Sequence, residues 1–184
     1  MKFLSRVSLC LLLIAMTGVS VSQAQSGRPR VSQRGYIEQT VGSVQIKVTY
    51  HRPNIKGRVL WGDDGLVPNG KVWRAGANEA TVFEVTEDVT INGDPLPAGK
   101  YSFYAIPTDK DWTLIFNKAW EQWGTVYDQK SDALRVTVKP VMSVESKETL
   151  GYYIEDVTAT SAVVVLAWGK ARIPFTVSAG SEQE

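Results

Sequence analysis

"VQIKVTYHRP", Val44 to Pro53, decides how the rest of the chain is read. Val44, Ile46, Val48 and Tyr50 alternate with Gln45, Lys47, Thr49 and His51. A period of two places the first set on one face of a strand and the second on the other, and Pro53, which has no N–H for a ladder, stops it. Working upstream, "GYIEQTVGS" repeats the alternation and reaches a turn near Gly42. Downstream come "GRVLWG", "ATVFEV", "VTI", "KYSFYAI", "DWTLIFN", "LRVTVKP", "GYYIEDVTAT", "AVVVLAW" and "RIPFTV". Each is short, rich in β-branched and aromatic residues, and bounded by turn formers, and no stretch of helical length keeps a 3.6-residue stripe. The expectation is an all-β domain: about ten short antiparallel strands in a two-sheet sandwich or jelly roll. The clearest turns fall at Asn92-Gly93 and Ala98-Gly99 in "INGDPLPAGKY" and around Gly169 in "WGKAR".

The ends read differently. Residues 1–24 carry Lys2 and Arg6, an apolar run from Val7 to Met16, and Ser22 and Ala24 placed as at a signal-peptidase site. This pattern predicts a secretory signal peptide and an exported protein, periplasmic or extracellular. The apolar run is too short to span a bilayer, and no later segment is long and apolar enough, so no membrane span is expected. Cys10, the sole cysteine, lies within the leader, so no disulfide or thiol chemistry is expected in the mature chain. Residues 25–35 read as a flexible lead-in, 36–177 as one β domain and 178–184 as a flexible tail. The chain holds 20 basic and 19 acidic residues. Loss of Lys2 and Arg6 with the leader brings the formal charge to about −1, which speaks against a nucleic-acid partner.

Two segments resist the strand reading, residues 62–80 and 118–132, and long excursions from a compact β domain are more often functional than accidental. The first contains "KVWRAGANEAT", Lys71 to Thr81. Arg74 offers a five-donor fork, Asn78 a donor and an acceptor, and Glu79 an acceptor, around the small pair Gly76 and Ala77. These residues suit a ligand wall; they equally suit a corner in which Arg74 and Glu79 satisfy one another. The second, "NKAWEQWGTVYD", interleaves Asn117, Trp120 and Trp123 with Glu121 and Gln122. Such a surface can stack a sugar ring and bond its hydroxyls, or it can cover the open end of the core. His51, the only histidine, lies in "YHRPNIKGR" among Arg52, Lys56 and Arg58. It belongs to no nucleophile motif, and the histidine, cysteine and carboxylate inventory suggests neither a metal site nor a cofactor.

The ordered set "YHRPNIKGR", "GLVPNGKVWRAGANEAT", "LPAGKYSFYAIP", "WTLIFNK", "QWG" and "LRVTVKP" resembles a family of secreted bacterial proteins, domain of unknown function 2911. The resemblance spans Tyr36 to Val177 and is most specific at Trp73–Asn78 and Gln122–Gly124. It implies export and one compact domain, and supplies no reaction, since the family has none assigned. Ala75 departs from the family pattern where Thr is expected, and His51 where a small polar residue is expected. His51 is accordingly a weaker shared site residue than Arg74, Asn78, Glu79, Asn117 and Trp123.

The leading expectation is a secreted binding module for a saccharide or similar polar ligand, held by Trp73, Arg74, Asn78, Glu79, Asn117, Trp120 and Trp123. One alternative is a glycosidase-like hydrolase with Glu79 as acid or base and Arg74 orienting substrate. The other is a structural or interaction protein of the cell envelope.

Overall fold

The computed structural model describes residues 29–180, so the expected signal peptide lies outside the described residues. Ten strands run in chain order: β1 (Gln33–Val41), β2 (Val44–Arg52), β3 (Thr81–Val85), β4 (Val89–Ile91), β5 (Asp94–Leu96), β6 (Gly99–Ile106), β7 (Trp112–Asn117), β8 (Asp132–Val138), β9 (Val141–Glu155) and β10 (Ser161–Ala179). They form a six-stranded sheet ordered β1-β2-β3-β6-β7-β8 and a four-stranded sheet ordered β5-β4-β10-β9, with every named pair antiparallel. No helix in the described residues is long and apolar enough to cross a membrane. The expected two-sheet all-β architecture is the observed one.

The alternation that opened the sequence reading maps onto the core. Val44, Ile46, Val48 and Tyr50 of β2 are all buried, and β3 and β7 add Phe83, Leu114 and Phe116. Between the sheets Phe83, Phe103, Phe116 and Phe175 meet with ring centroids 5.1–6.0 Å apart. A second aromatic cluster joins Trp61, Trp73, Trp112 and Trp168, with centroids 4.9–6.3 Å apart and mostly edge-to-face. Edge contacts of this kind match the ring quadrupoles better than face-to-face sandwiches do.

Turn chemistry closes the hairpins. Asn92 and Gly93 have φ of 51° and 96°, as the two-residue reversal between β4 and β5 requires. Gly169 is a different case from the expected turn. "AVVVLAW" and "RIPFTV" belong to one continuous strand, β10, and Gly169 sits at a pair of register shifts against β9. Its φ is +59°, and a Cβ there would lie 2.8 Å from Leu60 Cδ2. The glycine makes a bulge that lets the strand bend over Leu60 instead of reversing.

"GRVLWG" is not a strand. It forms a loop held by Leu66 N–H to Val59 O and Val67 N–H to Leu60 O, both 3.0 Å, with a single bridge from Trp61 to Val67. Its apolar residues are there to place Trp61 in the tryptophan cluster. The lead-in is also shorter than expected, because β1 begins at Gln33, and β10 extends to Ala179.

Candidate functional site

The two irregular excursions meet. Glu79 and Trp123 form an antiparallel bridge, flanked by Ala80 N–H to Gln122 O and Gly124 N–H to Asn78 O, each 3.1 Å. The second loop lies across the outer face of the six-stranded sheet. Ser102 and Tyr104 of β6 and Ile115 and Asn117 of β7 all point to that face by register, yet each is buried. Ser102 Oγ donates to Ala119 O at 2.8 Å and Tyr104 OH to Val126 O at 2.6 Å. Asn117 Nδ2 donates to Asp128 O at 2.8 Å and to Asp132 Oδ1 at 2.7 Å, and its Oδ1 accepts from Ala119 N–H at 3.0 Å. With both ends of its amide engaged inside the protein, Asn117 anchors the loop and presents nothing to a ligand.

The first loop turns through left-handed backbone at Ala75 (φ 46°) and Asn78 (φ 58°). Asparagine tolerates that region; alanine does so at a cost of about 1 kcal/mol. Two hydrogen bonds hold the Ala75 carbonyl in place, from Tyr152 OH at 2.8 Å and Thr81 Oγ1 at 3.2 Å. Asn78 Nδ2 donates to Ser32 O at 3.1 Å, tying the start of the described chain to the loop.

This bend separates the residues that sequence placed together. Arg74 and Glu79 do not pair. Trp73 and Arg74 line one cavity, of about 450 Å³, while Glu79, Trp120 and Trp123 line another, of about 760 Å³; the two share no residue. Trp73 is half-buried and stacks on Trp168 with ring planes 13° apart. A wall shared by Arg74, Asn78 and Glu79 is therefore not formed.

The larger recess sits on the outer face of β2 and β3, bounded by Thr49, His51 and Val82 from the strands, Trp120 to Trp123 from the second loop, and Arg30 and Ser32 to Arg34 from the start of the described chain. Glu79 is bonded by the Arg30 guanidinium at both carboxylate oxygens, at 2.6 Å to Oε2. His51 Nε2 lies 3.3 Å from the same Oε2. The hydrogen bond from Arg30, aided by the charges of His51 and Arg30, holds the Glu79 carboxyl below the usual carboxylate range. Burial pushes the His51 imidazole below its ordinary value; Glu79 opposes this, and Arg30 and Arg34 reinforce it. His51 is on the outer face as alternation indicated, but only 8 % exposed, because the loop and the incoming chain cover it. Its Nδ1 is buried with no partner among the described residues. Trp123 remains 48 % exposed beside this carboxylate, and the Lys100 ammonium lies 5.1 Å from the centre of the Trp120 ring.

A family model described as "Protein of unknown function (DUF2911)" matches residues 32–177. The chain belongs to this family. No curated protein and no solved structure matches it. The family match starts at Ser32, so it takes in both loops and every residue named at the recess except Arg30. Among the described residues no group of three or more histidine, cysteine or carboxylate side chains is placed to hold a metal. The sequence alone ranks His51 below the loop residues and puts Arg30 and Arg34 in the lead-in. For Arg34 and His51 the available signal was strand register, which sets them directly opposite one another on β1 and β2. Nothing local marked Arg30.

Proposed function

We propose that the protein is a binding module for a small polar ligand of the saccharide class, held in the recess between Trp123 and Glu79. One observation carries the proposal: an indole exposed to nearly half its surface is fixed by backbone pairing in the same bridge as an ionised carboxylate. A flat apolar ring beside an oriented acceptor is what a sugar needs, one surface for its C–H face and one partner for its hydroxyls. The leader-like composition of the first 24 residues supports this reading, since export would bring the module to where free glycans are met.

A hydrolytic role for Glu79 has less support. A general acid at neutral pH needs its carboxyl raised by desolvation, and here Arg30 holds it down. His51 directs Nε2 at Glu79 while its other nitrogen is sealed from solvent, so no second ring nitrogen faces the recess to take a proton.

The test is a titration of tryptophan fluorescence with neutral oligosaccharides and uronic acids. Saturable binding is expected, weakened about tenfold by Trp123→Ala, which removes a stacking surface, and by a similar factor by Glu79→Gln, which removes a charged acceptor. No response from any sugar at about 10 mM, or an unchanged affinity in Trp123→Ala, overturns the proposal.

A further inference from the structure

The second cavity differs chemically from the first. Its charged lining residues are Arg58, Lys71 and Arg74, with no aspartate or glutamate among them. None of the three takes part in an ion pair among the described residues. Arg58 engages Nε and Nη2 with the carbonyls of Ile55 and Asn54, at 2.8 and 2.7 Å, and Lys71 stands exposed at the rim. Arg74 is half-buried, and burial without a counter-charge lowers its pKa. Arg74 lines the cavity, and none of its nitrogens is both buried and unpartnered, so its tip is not sealed in protein.

The cation is also held still. The stem of Arg74 packs on Gly124 so closely that a Cβ on that glycine would overlap Arg74 Cδ and lie 3.1 Å from Arg74 Cβ. Around it the cavity is largely apolar and aromatic, with Trp73, Trp168, Leu66 and Pro68. The two tyrosines offer ring surface only. Tyr104 OH donates to Val126 O at 2.6 Å, and Tyr127 OH donates to Asp132 Oδ2 at 2.7 Å while accepting from Arg135. A partly desolvated guanidinium with no ion-pair partner among the described residues is unfavourable in isolation and becomes favourable when a matching anion enters.

We propose that this cavity is an oxyanion site, in which Arg74 forks onto the carboxylate or phosphate of a small organic ligand whose apolar body lies against Trp73 and Leu66. Lys71 and the remaining Nη1 of Arg58 add attraction at the mouth. The planar fork of arginine matches two oxygens of either anion, and the aromatic wall excludes a preference for a bare inorganic ion. The site is independent of the saccharide proposal, because neither Glu79 nor Trp123 lines it.

The experiment titrates the full mature chain with benzoate, phenyl phosphate, inorganic phosphate and the uncharged benzyl alcohol, read by tryptophan fluorescence and by the indole N–H resonances. Benzoate and phenyl phosphate are expected to saturate in the millimolar range, and whichever is tighter identifies the preferred headgroup. Benzyl alcohol and inorganic phosphate should each bind at least about tenfold more weakly, lacking the charge and the ring respectively. Arg74→Gln should lose at least about tenfold, and Trp123→Ala should lose nothing. Should Arg74→Gln fail to fold, Lys71→Ser at the exposed rim gives a second reading: about threefold weaker binding of benzoate and a shallower salt dependence. Saturation by neither ring-bearing anion at about 50 mM, equal affinity for benzyl alcohol and benzoate or for inorganic and phenyl phosphate, or unchanged benzoate affinity in both variants overturns the site.

Discussion

Gly124 is the hinge on which both cavities turn, and replacing it with alanine tests that directly. A Cβ at this position would lie 2.8 Å from Asn78 O, a backbone atom, and would also overlap the stem of Arg74. Relief requires the two loops to part by about half an ångström, since a carbon and an oxygen in contact need more than 3 Å. Overpacking of this kind costs about 1–3 kcal/mol. Weakening the 3.1 Å bond from Gly124 N–H to Asn78 O adds about 1 kcal/mol. Gly124 is not in left-handed backbone, so alanine gains back about 0.4–1 kcal/mol by restricting the unfolded chain. The net expectation is a loss of about 2 kcal/mol. With a urea slope of about 2 kcal/mol/M for a domain of this size, the unfolding midpoint falls by about 1 M. Acrylamide quenching should rise at the same time, as Trp123 leaves the bridge. Thr125→Ala, next in sequence and exposed, should stay within about 0.5 kcal/mol of the parent. A Gly124→Ala midpoint within about 0.2 M of the parent would mean that the pairing of the two loops does not hold them, and the rigid recess would have to be abandoned.

Asn117→Ala removes three hydrogen bonds at a fully buried position, leaving Ala119 N–H and Asp132 Oδ1 without the partners they have among the described residues, while Asp128 O keeps only Ser131 N–H. A loss of about 3 kcal/mol, seen as a melting temperature lower by about 6–12 °C in circular dichroism, is expected; a change under 2 °C would remove Asn117 as the loop's anchor. His51 has a folded-state pKa below its unfolded value, so the unfolded chain takes up the proton first and stability falls as pH drops through the ordinary histidine range. Urea midpoints at pH 7.5 and 5.5 should therefore differ more in the parent than in His51→Gln, and equal differences would refute the assignment. Glu79 has its pKa depressed, chiefly by Arg30, so its ionised form persists through that window, and sugar affinity should hold to about pH 5 and fail only below the ordinary carboxylate range. Loss of affinity between pH 7 and 6 would show that the recess does not work through an ionised Glu79.

The strands were legible because their signal is local. Alternation in β2 and β3 states which side chains face inward, and apart from His51 the buried residues follow it. Where local signals misled, a longer-range contact had overridden them. The turn signature at Gly169 became a bulge because β9 continues to pair on both sides of it, and the β-rich run at Val59–Trp61 became a loop because Trp61 has three other tryptophans to meet. The composition of the two loops identified them as excursions, but their polar residues could not be sorted by composition. Arg74 and Glu79 are five residues apart, and only the left-handed turns at Ala75 and Asn78, with the bridge to Trp123, direct them into different cavities.

By itself, then, the order of residues determined a two-sheet β domain with two non-repetitive loops, because side-chain alternation and turn chemistry act over a few neighbours. Which residues share a cavity was decided by tertiary structure alone. Glu79 meets His51 from 28 positions upstream and Arg30 from 49, and Asn117 turns inward only because a loop folds over it. Encounters of that range depend on how distant segments pack, and no local pattern encodes them.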